Sequence, residues 1–309
     1  MLKMAVWGPG NISHRIMEGM KHVENAKVTA FCTRNPEKVR EYAEAYGVEK
    51  LLSEEEMLKD KEIEAVYVST PQHIHYDCIK KCLLNGKHVI SEKPIVITTE
   101  QLRELHKLAD ERGLMLMEAQ KCLFVPVFNK ISEWLREERI GRVHLAEADF
   151  ARVHNIPLES WHMQADGKGA LYDIGCYCLS ELFGLFGYDY DDILVNNVHY
   201  HEVIMSSAVM MKKKEMTMIA TCSFGYQGNN DLRIYGEKGT IICHEFWKSR
   251  ECKLITDKEE VYRVEFPSEF TFEIQHFVNC INEGRTYSPV NTPEMSLKVT
   301  EILEKYGRY

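Results

Sequence analysis

No pair of cysteines in this chain has C-x-x-C spacing, and ten cysteines in 309 residues are too few for a disulfide scaffold. Cys176 and Cys178 are too close for a comfortable mutual bridge. Cys78 and Cys82, at i,i+4, lack the second pair that would complete a zinc site. Reduced core thiols and no metal are expected. Long apolar runs are missing too: nothing approaches the roughly 18 residues of a membrane span, and the greasiest short run, Leu182 to Gly187, sits in a helical pattern. Met1 to Trp7 is too short an apolar stretch for a signal peptide, so a cytoplasmic protein with no membrane partner is expected. Basic residues are in deficit, 38 Lys and Arg against 47 Asp and Glu, a formal charge of -9. That balance argues against a broad phosphate-binding surface and against nucleic acid as a partner. With 9 prolines and 18 glycines the chain is neither collagen-like nor of low complexity.

What is present is an ordinary globular composition, 45% hydrophobic and 28% charged, long enough for two domains at about 150 residues each. The first 120 residues alternate short apolar runs with helical periods, the pattern of βα units around a parallel sheet. Lys3 to Trp7, Lys27 to Thr33, Ala65 to Ser69, Lys87 to Ser91 and Leu114 to Met117 read as strands. Asn35 before Pro36 reads as a helix cap, and Ser53 with Glu56 and Thr98 with Gln101 read as capping boxes. Beyond Ala119 the rhythm changes to a helix (Pro126 to Glu138), a strand (Arg142 to Arg152) and a second helix near Gly169 to Phe186. Residues 192 to 266 follow as closely spaced strands. Their short polar turns at Lys212 to Lys214, Gly228 to Asn230 and Glu237 to Gly239 imply an antiparallel sheet. Helices over Glu269 to Glu283 and Pro293 to Lys305 close the chain.

Gly8-Pro9-Gly10-Asn11-Ile12-Ser13 follows the first strand and opens a helix. There glycines let the backbone approach a pyrophosphate and the helix N-terminus supplies donors. Ser13 replaces the third glycine of the usual fingerprint. Strand, loop and helix in this order favour a dinucleotide over a plain tight turn. About 20 residues further on, an acid would bind the ribose hydroxyls of NAD. Cys32-Thr33-Arg34 offers instead a hydroxyl and a guanidinium, suited to a 2′-phosphate, so NADP is expected first and NAD second. The plain alternative for Arg34 is a solvated residue at a helix start.

Ser91-Glu92-Lys93-Pro94 places a lysine at the carboxyl edge of the parallel sheet, where ligands of such folds bind. Three further segments accompany it: the glycine loop, Tyr67-Val68-Ser69-Thr70-Pro71-Gln72-His73-Ile74-His75, and Asn85-Gly86-Lys87-His88-Val89. Together they resemble the glucose-fructose oxidoreductase/inositol dehydrogenase family, Gfo/Idh/MocA, over nearly the whole chain. Gly167-Lys168-Gly169-Ala170-Leu171-Tyr172-Asp173-Ile174-Gly175-Cys176-Tyr177 is similar to that family's glycine-rich helix, with Lys168 where a glycine is common. A tyrosine rather than a histidine four residues after the Asp resembles the branch that holds dihydrodiol dehydrogenase and xylose dehydrogenase.

The resemblance implies an α/β fold: an N-terminal Rossmann dinucleotide-binding domain, residues 1–120, and a C-terminal α+β domain with a large, mostly antiparallel open sheet, residues 121–309. The second would bind substrate and dimerise, with the last helix able to pack back on the first. It also implies a cofactor site made of Gly8, Gly10, Asn11, Ile12, Thr33, Arg34, Ser69, Thr70, Pro71, His75, Glu92 and Lys93. Catalysis would fall to Lys93, Asp173 and Tyr177. On spacing alone Asp173 and Tyr177 share a helix face, which an aromatic core residue and a salt-bridging acid would do equally well. Trp161 and His162 are candidates to line the substrate pocket, the alternative being a tryptophan that anchors the loop.

The function expected is an NAD(P)-dependent oxidoreductase that interconverts a secondary alcohol of a sugar, polyol or vicinal diol and its carbonyl. Tyr177 would move the proton with help from Lys93. Two other readings are a non-catalytic dinucleotide-binding regulator and an NAD-dependent glycosidase of the same fold. The sheet of residues 192 to 266 has helices enough to cover one face only, so a homodimer or a dimer of dimers through the other face is expected.

Overall fold

The computed structural model describes residues 1–153 and 168–307, which fall into two compact units. The first joins Met1–Ala119 to Pro267–Pro293. Its sheet consists of β1 (Leu2–Trp7), β2 (Ala26–Cys32), β3 (Lys50–Leu52), β4 (Ala65–Val68), β5 (His88–Glu92) and β6 (Leu116–Ala119). The order is β3-β2-β1-β4-β5-β6 and every pairing is parallel. That is the Rossmann strand order, in which the chain reverses direction across the sheet between β1 and β4. The central strands are apolar along their length because helices cover both faces, leaving β1 and β4 almost wholly buried. Strand β3 escaped the sequence reading because it is three residues long and half-buried.

Helices α1 (Asn11–Met20), α2 (Pro36–Ala45), α3 (Glu54–Lys59), α4 (His75–Leu84) and α5 (Thr99–Arg112) connect these strands. Both expected capping boxes form: the side chains of Ser53 and Thr98 accept from the third helical N–H, and Glu56 and Gln101 reach back. Asn35 corrects the third expectation. Its side chain makes no capping bond; its own N–H donates to Thr33 Oγ1 at 3.1 Å, and the fixed φ of Pro36 starts α2.

The second unit joins Gln120–Phe266 to Glu294–Tyr309. Helix α6 (Pro126–Arg136) precedes β7 (Val143–Ala151), and α7 (Cys176–Phe186) precedes seven strands. These are β8 (Asp192–Tyr200), β9 (Val203–Lys213), β10 (Met216–Ser223), β11 (Asp231–Gly236), β12 (Gly239–His244), β13 (Glu251–Ile255) and β14 (Glu259–Arg263). The eight-stranded order is β14-β13-β12-β11-β7-β10-β9-β8. All pairs are antiparallel except β7 with β10.

The insertion of β7 corrects the reading of Gly228 to Asn230 as a hairpin turn. Strands β10 and β11 flank β7 instead of pairing with each other. The segment is pinned to the end of β7: Ala151 N donates to Asn230 Oδ1 at 2.9 Å and Asn230 N donates to Asp149 Oδ2 at 3.0 Å. The turn residues alone report a polar reversal and not which strand receives it.

Of the two closing helices, α8 (Phe270–Asn282) lies in the first unit, while nearly all of α9 (Pro293–Tyr306) lies in the second, where the Tyr172 hydroxyl donates to Leu303 O at 2.8 Å. Among the described residues no helix is long and apolar enough to cross a membrane.

Candidate functional site

The parallel sheet brings the loops after β1 and β4 side by side. Gly8 sits at φ +93°, and a Cβ there would lie 3.0 Å from Ser69 O and from Thr70 N, so the position excludes any side chain. The Ser69 hydroxyl donates to Gly8 O at 3.0 Å and Gly10 N donates to the same oxygen at 2.8 Å. Gly10 is exposed, and Asn11 and Ile12 begin α1 behind it.

Unlike α3 and α5, α1 has no side-chain cap and no acid in its first turn. Ser13 N donates to Gly10 O at 3.1 Å, while the positive end of the helix dipole faces no acid of the first turn, an arrangement that fits a dinucleotide's pyrophosphate. Ser13, at the place of the missing third glycine, is fully buried and donates its hydroxyl to Gly10 O at 2.6 Å. The departure from the fingerprint thus becomes a brace for the loop. Thr33 is half-buried and Arg34 exposed after β2, at the carboxyl end of the sheet; among the described residues Arg34 has no ion pair.

Three contacts hold the loop that carries Lys93. The Tyr67 hydroxyl donates to Glu92 Oε1 at 3.1 Å. Ile95 N donates to Glu118 Oε1 at 3.1 Å. The His75 ring lies between loops, Nδ1 3.0 Å from Pro94 O and Nε2 2.7 Å from Thr70 O. Burial holds His75 below its ordinary pKa, although both carbonyls pull the other way. The ring is 1% exposed, so its influence on a ligand runs through the two loops it ties together. Pro71 and Lys93 are half-buried.

In the second unit, Lys168 and Gly169 both have left-handed backbones, φ 57° and 77°. That conformation is the reason glycine suits position 168. A Cβ on Gly169 would collide with Ile204 O. A π-helical turn, Leu171–Gly175, follows and runs into α7. Such turns insert an extra residue into a helix and recur at functional sites. From Gly169 to Phe183 every residue is buried except Asp173, which is half-exposed.

Tyr177, one turn on, is 6% exposed. Its hydroxyl receives a hydrogen bond from Lys121 Nζ at 2.5 Å, and the same ammonium lies 4.3 Å from its ring centroid. Phe150 lies 6.0 Å from the tyrosine ring and stacks on Trp247 at 3.5 Å. Lys121 was absent from the sequence reading. The available signal was a lysine immediately before Cys122-Leu123-Phe124-Val125, an apolar run that had to be buried; a buried ammonium needs a partner.

One turn further along α7, Glu181 is fully buried beside Cys122. Burial pushes both the carboxyl and the thiol well above their ordinary values. All ten cysteines are free and buried. Among the described residues no cluster of three or more His, Cys, Asp or Glu could hold a metal. Trp161 and His162 lie outside the described residues.

A Rossmann sheet with an uncapped first helix, joined in one chain to a mostly antiparallel open sheet, is the architecture of a dinucleotide-binding protein with a second domain. Residues 2–120 match the oxidoreductase family with an NAD-binding Rossmann fold, GFO/IDH/MocA, and residues 128–242 match the GFO/IDH/MocA C-terminal domain. The chain belongs to this family and is an NAD(P)-dependent dehydrogenase or reductase.

It is 27% identical to trans-1,2-dihydrobenzene-1,2-diol dehydrogenase of Xenopus laevis, over 97% of this chain and 94% of that one. It is 26% identical to the scyllo-inositol 2-dehydrogenase (NADP(+)) IolU of Bacillus subtilis (strain 168), over 99% and 96%. The fold is also that of the 3-ketoreductase KijD10 from Actinomadura kijaniata, solved with NADP and TDP-benzene. There the TM-score is 0.90 at 24% identity, covering 99% of this chain and 98% of that one.

The state of Glu181 has a measurable consequence. The folded protein holds its proton, whereas the unfolded chain releases it above a pKa of about 4.3. Stability is therefore largest below that value and falls as pH rises toward the folded pKa. Glu181→Gln keeps the shape without the titration. Urea unfolding at pH 5 and pH 8 should show the variant gaining on the wild type as pH rises; parallel behaviour would mean that Glu181 is ionised in the fold.

Proposed function

We propose that this protein is an NADP-preferring dehydrogenase or reductase that interconverts a secondary alcohol of a sugar, polyol or vicinal diol and its carbonyl. The observation that carries this reading is the buried Tyr177 phenol, held by a hydrogen bond one helical turn from the half-exposed Asp173. The names of the relatives, a diol dehydrogenase and an NADP(+)-linked inositol dehydrogenase, support the substrate class.

In this reading residues 1–120 carry the dinucleotide. Gly8, Gly10, Asn11 and Ile12 receive the pyrophosphate, Thr33 and Arg34 the 2′-phosphate, and Ser69, Thr70, Pro71, Glu92 and Lys93 flank the nicotinamide end, with His75 setting the loops. The second unit carries the substrate, without residues 267–293, which belong to the first, and Trp161 and His162 are proposed to line its pocket. The bound nicotinamide supplies hydride exchange. Tyr177 takes the alcohol's proton during oxidation and returns it during reduction, Lys93 favours the charged form of the phenol, and Asp173 orients a substrate hydroxyl.

The open face of the second unit's sheet supports self-association. Leu194, Val198 and Met210 are 59%, 56% and 41% exposed, and Leu194 pairs directly with Met210. A second copy of the chain laid on this face would bury an apolar stripe that isolated surface residues do not form. Light scattering at micromolar concentration should give the mass of a dimer or a dimer of dimers; a monomer would remove this part of the reading.

Cofactor choice rests on Arg34. Its charge-assisted contact with a 2′-phosphate is worth about 1.5 to 3 kcal/mol, roughly ten- to a hundredfold in affinity. Arg34→Ala should erase most of the NADP preference in titration calorimetry while NAD binding stays nearly the same. Equal wild-type affinities for the two cofactors would refute the assignment.

The catalytic reading rests on Tyr177. With the best substrate from a panel of sugars, inositols and aromatic dihydrodiols, Tyr177→Phe should lower kcat by about a hundredfold or more, with dinucleotide affinity within a few fold. Near wild-type turnover would place the proton elsewhere.

A further inference from the structure

Lys121 opens the short 3-10 turn Lys121–Leu123, and its side chain is as buried as the tyrosine it meets, at 4% exposed against 6%. An ammonium taken out of water is costly unless it is paired and hydrogen-bonded. Nζ lies at hydrogen-bond distance from the phenol oxygen, 4.3 Å from the ring centroid, where the oxygen lone pairs offer electron density. The stacked Phe150 and Trp247 rings form an apolar wall near the tyrosine, which lowers the local dielectric and strengthens the pair.

We propose that Lys121 is a positioning residue for the proton transfer at Tyr177, fixing the phenol oxygen in place and favouring its anionic form from within the tyrosine's own folding unit. The proposal rests on Tyr177 being the proton donor and acceptor. During oxidation the substrate O–H bond breaks toward Tyr177 Oη, and the C–H electron pair leaves as hydride for the oxidised nicotinamide. Lys121 keeps its three protons throughout. In reduction the phenol returns its proton to the oxygen that was the carbonyl.

The other titratable groups on the elements packed around the phenol have distinct effects. Asp173, Cys176 and Glu181 share its helical segment, Cys122 adjoins Lys121, Asp149 lies on β7 with Arg152 just past its end, and Cys222 is on β10. Glu181, Cys122 and Cys222 are driven toward their neutral forms by burial. A neighbouring carboxylate opposes the ionisation of a phenol and a neighbouring guanidinium assists it. Lys121 is in hydrogen-bond contact with the phenol, a separation at which a Coulomb term is large.

The test is the titration of Tyr177 itself, read by NMR in protein labelled with 13C at tyrosine Cζ and assigned by the resonance that Tyr177→Phe removes. The phenol should titrate below the ordinary value of about 10 in the wild type and remain lowered in Lys93→Met. In Lys121→Met, and in Lys121→Gln, which keeps a donor but loses the charge, the midpoint should rise by about 1 to 3 pH units. Lys121→Arg should keep most of the lowering. For alcohol oxidation, the rise of kcat with pH should move upward by the same amount in the uncharged variants, with KM changing less.

An unchanged phenol titration in Lys121→Met or Lys121→Gln overturns the role of Lys121 and leaves the tyrosine standing if Tyr177→Phe is inactive. Near wild-type turnover of Tyr177→Phe overturns the tyrosine instead, and with it this role of Lys121. If neither uncharged variant folds, the wild type and Lys93→Met decide: a phenol titrating at or above 10 in either one refutes the proposal.

Discussion

The burial of the first two turns of the helix that carries Tyr177 is the constraint on which the second unit turns. From Cys176 to Phe183 every residue is buried, Tyr177 keeping the most exposure at 6%, since the helix packs against β7 and β10 on one side and the turn at Lys121 on another. A helix so enclosed draws the partners of its polar side chains from the protein. Two contacts with the 3-10 turn supply some of them, one helical turn apart: Lys121 meets Tyr177, and Cys122 meets Glu181, whose Oε2 stays without a hydrogen bond. The first pairs a cation with a phenol, and the second shelters a carboxyl that burial keeps protonated. Both depend on neighbouring positions of one short turn, so the placement of residues 121 and 122 sets the chemistry available along that face of the helix.

The first unit solves the opposite problem, leaving selected backbone groups unsatisfied by the protein. Ser53 and Thr98 cap α3 and α5, whereas α1 has neither a side-chain cap nor an acid in its first turn. Around that open end the loops are rigid: Gly8 is pressed against Ser69 and Thr70, Ser13 braces Gly10, and His75 links Thr70 to Pro94. A preorganised set of donors loses little freedom when an anion arrives, which is the physical advantage of building a phosphate site from backbone on a parallel sheet. The same sheet sends Arg34 to its carboxyl edge without an ionic partner among the described residues, leaving its charge for a ligand.

Much of this was legible in the order of residues. The βα rhythm up to residue 120, the glycine loop and the two capping boxes are local patterns, and local patterns need only a few neighbouring side chains to be decided. The motif ending in Tyr177 was equally visible, as was the change of rhythm after Ala119. What was missed has a particular cause in each case. Strand β3 is too short to show a period, Asn35 yielded its capping role to the backbone geometry set by Pro36 and Thr33, and β7 took the place between β10 and β11 that a local turn signal assigned to a hairpin.

The sequence by itself determined the dinucleotide fold, the family and the presence of an acid and a phenol one turn apart, because each is written in contiguous residues whose spacing has one periodic meaning. Only the tertiary structure decided that Lys121 is the phenol's partner, that Glu181 is buried beside Cys122, and that α8 and not α9 joins the first unit. Those pairings span 56 residues in the first case and most of the chain in the last, distances over which no side-chain period carries information. They are fixed by which apolar faces pack together, and the buried polar groups then take the partners that packing leaves within reach.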